Sequence, residues 1–444
     1  MNKQRRAPFP QELIDLIIDD DPDDRESLHT LALVSKSCLA QSRRHIFRSI
    51  RFITRINDVI HSTERHRQFR SILSGDPKVA NCVRELLIRD SPMPRASDYP
   101  VWIRDDASFH DTLQLLAANG LERFTLECGL EWTSFPLSLR RALRNVYTAP
   151  TLEFISLRGL SAVPMSSCIA FGQRVSELLL INVELSRNID TELPEVAHGH
   201  GAAKLYWLGL EEVDAESTKI LLSALLPHPN SLLPARFSSL AALHIGPIES
   251  DSVEALWDVV HAGRDTIQYF NWEYLHKSIF VPPLDTHPIV LEVLDRLFAI
   301  NFEVTFYPDD YIDPPGGSRD QFGGLLALLG SVKPTNTIQD VMIRVNYNDV
   351  TEALESMTSY DGWGRLDALL CSAPFADLRD VTLELDVLTS LLAEENEMDA
   401  FEDEVDLEQR GQELRRAVVR CLPTLNAEEL LRFVVKVRGK LVFN

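Results

Sequence analysis

The chain has 444 residues, 45% of them apolar and 25% charged, with a formal net charge of −22. That is ordinary globular composition with material for a large core, and an acidic body of this kind repels nucleic-acid phosphates. The six cysteines are scattered without a C-x-x-C pair, which argues against a disulfide scaffold or a zinc knuckle, and no signal pattern, N-x-Ser/Thr acceptor or apolar run near membrane-spanning length is present.

The first fifty residues hold three short helical patterns. Pro10 opens the first, because a proline there forfeits no hydrogen bond, and Leu13, Ile14, Ile17 and Ile18 recur at helical spacing. The run Asp19-Asp20-Asp21-Pro22 ends it. Asp23 with Glu26 has the spacing of a capping box for helix two, whose apolar positions are Leu28, Leu31 and Ala32. Ser35 is positioned to cap helix three, with Leu39, Ile46 and Phe47 on its apolar side. Ile50, Phe52 and Ile53 predict a short extended exit. So small a unit needs something to cover its remaining apolar surface. Between Gln41 and Arg55 stand five arginines and no acid, a strip suited to an acidic partner or to water.

The order Pro-x-Glu-Leu-Ile-x-x-Ile-Ile, then Leu-x-x-Leu-x-Leu-Val-Ser, then Arg-x-Ile-Phe resembles the F-box, in the form common among fungal F-box proteins. Phe9 replaces the usual leucine, and Cys38 stands where many members carry tryptophan. The resemblance covers residues 8–52. It implies docking on the Skp-type adaptor of a Skp–cullin–F-box ubiquitin ligase, an adaptor that is itself acidic. By position the contacts would be Pro10, Leu13, Ile14, Ile17, Leu28, Leu31, Val34 and Cys38. Residues 53–82 read as a helical linker.

From Val83 onward one pattern returns: apolar, two residues, apolar, one residue, apolar. It runs through Val83/Leu86/Ile88, Leu121/Phe124/Leu126, Leu152/Ile155/Leu157, Val175/Leu178/Leu180, Leu205/Leu208/Leu210, Leu240/Leu243/Ile245 and Ile267/Phe270/Trp272. Later copies are Leu297/Ile300/Phe302, Ile338/Val341/Ile343, Leu378/Val381/Leu383 and Leu430/Phe433/Val435. Alternation of this kind predicts a strand with one inward face. Between the strands, Ser108–Ala118, Asp214–Leu226, a segment from Asp251 to His261 and part of Leu284–Ile300 read as return helices.

The pattern resembles the opening of a leucine-rich repeat. The expected fold is therefore α/β: the three-helix F-box-like module, then an irregular leucine-rich-repeat-like solenoid with a parallel sheet over residues 83–444. The asparagine ladder of that family is mostly replaced by Leu160, Val183, Val213, Ile248 and Leu275. A doubly wound sheet is the rival architecture. Tyr307–Gly324 and Pro92–Pro100 read as loops, and Glu394–Asp406 as a solvated acidic run.

No phosphate-binding loop, nucleophile elbow or H-E-x-x-H stands in the chain. His198-Gly199-His200, Asp19-Asp20-Asp21 and Asp309-Asp310 read as turns or loops rather than metal sites. The expectation is a non-enzyme without cofactor or metal, working in the cytoplasm or nucleus and binding neither nucleic acid nor membrane. Its partners would be the Skp-type adaptor, through it a cullin, and an unknown target protein. The target would lie on the outward sheet face, where Arg123, Phe154, Arg158, Trp207, Tyr269 and Arg344 are the anchor types; Thr125, Glu127, Glu211, His244, Glu273, Met342, Thr382 and Glu384 share that face. The alternative is a repeat scaffold whose front module is only an end cap.

Overall fold

A computed structural model describes residues 10–20, 22, 24–54, 59–90, 102–106, 108–165, 174–188, 204–225, 239–246, 250–273, 291–305, 323–347, 350–387, 404–437 and 440–443. The chain divides into two compact units, Met1–Lys204 and Leu205–Asn444. Both are α/β.

The first unit opens with helices α1 (Gln11–Asp19), α2 (Arg25–Val34) and α3 (Lys36–Ile46). Strand β1 (Ser49–Thr54) and helix α4 (Val59–Gly75) follow. Then come β2 (Glu85–Asp90), the short α5 (Trp102–Asp105), α6 (Phe109–Ala118), β3 (Arg123–Glu127), α7 (Leu137–Tyr147) and β4 (Phe154–Arg158). The unit closes with β5 (Val163–Pro164), β6 (Glu177–Ile181) and β7 (Leu185–Ser186). Strands β1, β2, β3, β4 and β6 pair in that order, all parallel; β5 and β7 form a separate small ribbon. The segment read as an extended exit is thus the first sheet strand, and α4 in the expected linker is its return helix.

The apolar triplets fall into register. Leu86, Phe124, Ile155 and Leu178 align across the strands, as do Ile88, Leu126, Leu157 and Leu180, and all eight are essentially without solvent exposure. Period-two alternation puts them on one face and leaves the intervening charged residues on the other. Helix α7, absent from the sequence reading, packs through Leu139, Ala142, Leu143, Val146 and Tyr147, a stripe at helical spacing. Near β1 the core is aromatic: Phe52, Trp102 and Phe109 pack around His66, and Phe69 packs on Phe52. His66 is wholly buried, and its ring nitrogens meet Asp106 Oδ2 at 2.6 Å and Thr112 Oγ1 at 3.1 Å. Burial outweighs the Asp106 carboxylate and lowers its pKa, so the ring is held neutral.

The turns after β4 and β6 show what occupies two of the positions where an asparagine was expected, and Ile248 and Leu275 lie outside the described residues. Gly159 follows β4 at φ 72°, and Asn182 follows β6 at φ 49°. Each left-handed residue throws the next side chain back inward, where Leu160 and Val183 are buried. At each of these turns a buried apolar side chain plugs the strand end. Gly159 is held to glycine twice over, since an added Cβ would also meet the carbonyl oxygen of Cys128 at 3.0 Å.

The second unit contains β8 (Trp207–Glu211), β9 (Ala242–Gly246), β10 (Tyr269–Trp272), β11 (Ala299–Thr305), β12 (Asp340–Tyr347), β13 (Asp380–Val387), β14 (Leu431–Val437) and β15 (Lys440–Phe443). They pair in chain order, parallel except for the antiparallel β14–β15. Glu212 repeats the left-handed turn at φ 51°, and Val213 is its buried plug. Helices Ala215–Leu225 and Ser250–Ala262 match the expected returns. Leu291–Val293 is a single 3-10 turn where a helix was expected, and Gly323 and Gly324, expected in a loop, open the helix Gly323–Gly330. The last triplet is two residues out of step: Val381 faces Leu431 and Leu383 faces Phe433. A shift of two preserves the inward face. Buried Asp367 caps the C-terminal helix Pro423–Ala427 by accepting from Thr424 N and Leu425 N. Glu404 and Asp406 begin the helix Glu404–Cys421, while the rest of the acidic run, the prolines of 92–100, and His198 and His200 lie outside the described residues.

Within each unit strand order follows chain order without reversal. Among the described residues of each unit no reversal of strand order makes the switch point at which a doubly wound fold places its ligand.

Candidate functional site

The front module is held by polar clamps more than by a core. Asp24, not Asp23, caps α2 by accepting from Ser27 N at 3.1 Å, and Ser35 caps α3 by accepting from Cys38 N at 3.2 Å. Helices α1 and α3 are pinned at both ends. Gln11 donates to the Ser37 carbonyl at 3.0 Å, and Asp19 accepts from Gln41 at 2.6 Å and meets His45 Nε2 at 2.6 Å. The Gln41 and His45 hydrogen bonds hold the Asp19 carboxyl below its ordinary range. Among the described residues of α1–α3 only Ile18, Leu28 and Ser42 are buried.

The apolar remainder faces out. Leu13 is 44% exposed, Ile17 59% and Val34 68%. Pro10 is exposed, while Ile14, Leu31 and Cys38 are half-buried. Leu28, placed by the resemblance among the contacts, is 1% exposed and belongs to the module's own packing. Leu16 (66%) and Leu33 (89%) were not in the predicted set; Leu16 stands three residues after Leu13, a helical spacing that could have found it.

Beside α3 lies an open cleft of 830 Å³ lined by Arg43, Arg44, Arg48, Lys78, Arg84 and acids that include Asp76 and Glu122. Arg43 pairs with Asp76 at 2.8 Å and Arg84 with Glu122 at 3.5 Å. Arg43, Arg44 and Arg48 of the predicted arginine strip therefore line a partly neutralised basic cleft, and Arg55 lies outside the described residues.

The outward sheet face of the first unit carries Arg123, Phe154 and Arg158 together. The Arg123 guanidinium lies 4.0 Å from the centre of the Phe154 ring and 3.5 Å from Glu177. Glu127 sits between Arg89 and Arg158, bonded to the first and 3.5 Å from the second.

In the second unit Trp207 and Tyr269 flank the small Ala242, one strand to either side. Arg344 stands apart on β12 between Glu303 (3.3 Å) and Glu384 (3.2 Å), and Lys436 completes that row by bonding Glu384. Burial raises the pKa of Glu384, but Lys436 and Arg344 overcome it and leave the carboxyl below its ordinary value.

One convergence escaped the sequence reading. His244 Nε2 lies 3.1 Å from Glu211 Oε1 and 3.4 Å from Glu273 Oε2, and Asn271 touches Nδ1 at 2.6 Å. Burial depresses the ring's pKa, but the two carboxylates raise it to about 9. Each residue was named singly as outward-facing; their meeting depends on register between strands tens of residues apart. Among the described residues this is the group able to hold a metal ion.

No protein-family model matches this chain, and no curated protein matches it.

Proposed function

We propose that the chain is a substrate-receptor subunit of a Skp–cullin–F-box ubiquitin ligase. The observation that carries this reading is the exposure of Leu13, Leu16, Ile17, Leu33 and Val34 on a module with almost no core of its own. An end cap would turn such side chains inward. Covering a Leu or Ile side chain contributes about 1.5–3 kcal/mol when it starts fully exposed, so a partner seated on several of them binds usefully. The cleft arginines suit an acidic adaptor and would speed encounter.

The remainder would be a leucine-rich-repeat-like solenoid that holds a target protein on the outward face, with Arg123, Phe154, Arg158, Trp207 and Tyr269 as anchors. Chain-order parallel strands and the recurring plugged turn support that architecture. Arg344 is a weaker anchor, because Glu303 and Glu384 already engage it. The chain itself would act by proximity, raising the effective concentration of a target lysine near the ligase's loaded enzyme. The five cysteines among the described residues are free thiols, which suits the cytoplasm or nucleus. Among the described residues no helix is long and apolar enough to cross a membrane.

Co-expression with a Skp-type adaptor tests the reading. The unmodified chain should co-purify with it and Leu13→Asp should not, with equal melting temperatures for both chains. Co-purification that survives Leu13→Asp would overturn the docking mode; failure of the unmodified chain would leave a repeat scaffold without ligase recruitment.

A further inference from the structure

We propose that Glu211, His244 and Glu273 form a binding site for a divalent first-row metal ion of the zinc type. The three stand on consecutive strands of the second unit: Glu211 ends β8, His244 lies within β9 and Glu273 directly follows β10. Glu211 is in register with Gly246, and Glu273 N bonds the carbonyl of neighbouring Ile245. The two glutamates therefore flank a position with no side chain. Glu211 packs its backbone and stem against Gly246, and the imidazole stands on the same strand two residues earlier.

The distances fit an ion. Donors about 2.0–2.2 Å from a tetrahedral zinc stand about 3.3–3.6 Å from one another. The imidazole nitrogen is 3.1 and 3.4 Å from the two carboxylate oxygens, and all three donor atoms lie within 4.8 Å of each other. A small rotation of either glutamate closes the set.

Two further features point to a ligand. The His244 side chain is only 9% exposed, and its buried Nε2 makes no well-directed hydrogen bond although it aims between the carboxylates. Its other nitrogen is held by Asn271. The amide nitrogen of Asn271 faces Nδ1; turned about, the same amide would present its oxygen, accept the Nδ1 proton and leave the Nε2 lone pair free, the outer-shell arrangement of metal-bound histidines. Without an ion the ring carries a proton that cancels one of the two carboxylate charges; a divalent ion would displace that proton and cancel both.

One imidazole with two carboxylates suits Zn²⁺ and its first-row neighbours, and does not supply the six to eight oxygens that Ca²⁺ prefers. The site opens on the outward face beside Trp207, whose ring centre is 6.3 Å from that of His244. Three protein donors leave a fourth position for water or for a donor of a bound protein.

The test is calorimetric titration of the full chain, stripped by chelator, with zinc chloride, repeated on Glu211→Gln, Glu273→Gln and His244→Gln. The expected result is one ion per chain, weakened at least tenfold in each variant and undisturbed by excess Ca²⁺. Melting curves in chelator report whether the variants fold. X-ray absorption on the one-to-one complex of the unmodified chain is independent of them and should show one imidazole with oxygen donors. Absence of zinc binding, binding that all three variants leave unchanged, or a spectrum with sulfur or two imidazoles would each overturn the proposal.

Discussion

Asp90 ends β2 with its carboxylate turned into the buried side of the first unit. Its Oδ2 has no hydrogen-bond partner, and burial raises its pKa from 3.8 to about 6, with Thr54 across the register offsetting only part. A raised carboxyl pKa means that the folded chain keeps a proton which the unfolded chain has already released. Stability therefore falls as pH rises from about 4 through about 6, and stays lowered above that. Two units at about 1.4 kcal/mol each set the effect at about 2–3 kcal/mol. Asp90→Asn keeps the shape and carries no charge. It should be about 2–3 kcal/mol more stable than the parent at pH 7.5 in urea denaturation, and the gain should shrink as pH is lowered through 5 towards 4. A variant no more stable at pH 7.5 would show that the charge is compensated, and a gain independent of pH would show that packing, not ionisation, is its cause.

Three other substitutions separate the forces at work. Leu28→Ala should melt the front module at about 2–4 kcal/mol below the parent, whereas Ile17→Ala should leave thermal unfolding within about 0.5 kcal/mol; equal effects would mean the two faces of the module are misassigned. Gly159→Ala places a Cβ at positive φ and against the Cys128 carbonyl, and should cost upward of 1 kcal/mol in chemical denaturation. Glu384→Gln withdraws the carboxylate shared by Arg344 and Lys436; both cations reach solvent, so the loss should be about 1–3 kcal/mol at neutral pH. That loss should vanish as pH falls below the ordinary glutamate value, since the parent's advantage rests on a lowered pKa.

Most of the parallel strands were legible because they bury a pair of apolar residues and expose their neighbours, so period two is visible in the sequence. β1 was legible as an extended exit through Ile50, Phe52 and Ile53, but its place as a sheet strand rests on pairing with β2, which spacing does not give. The last strand shows the limit from the other side: Leu430/Phe433/Val435 keeps the inward face, but its two-residue shift is fixed by pairing with β13. On the front module, spacing finds Ile17 and Leu28 equally; only the way α1 and α2 each lie on α3 makes one surface and the other core. The meeting of Glu211, His244 and Glu273 was illegible for a third reason, since it needs three strands in register and a glycine at the crossing point.

Titration of purified Skp-type adaptor into the full chain, beside Ile17→Asp, is the most direct measurement. The account predicts one-to-one binding at micromolar affinity or tighter, weakened at least tenfold by Ile17→Asp while the melting temperature is unchanged. No binding by the unmodified chain, or equal binding by both, would contradict it.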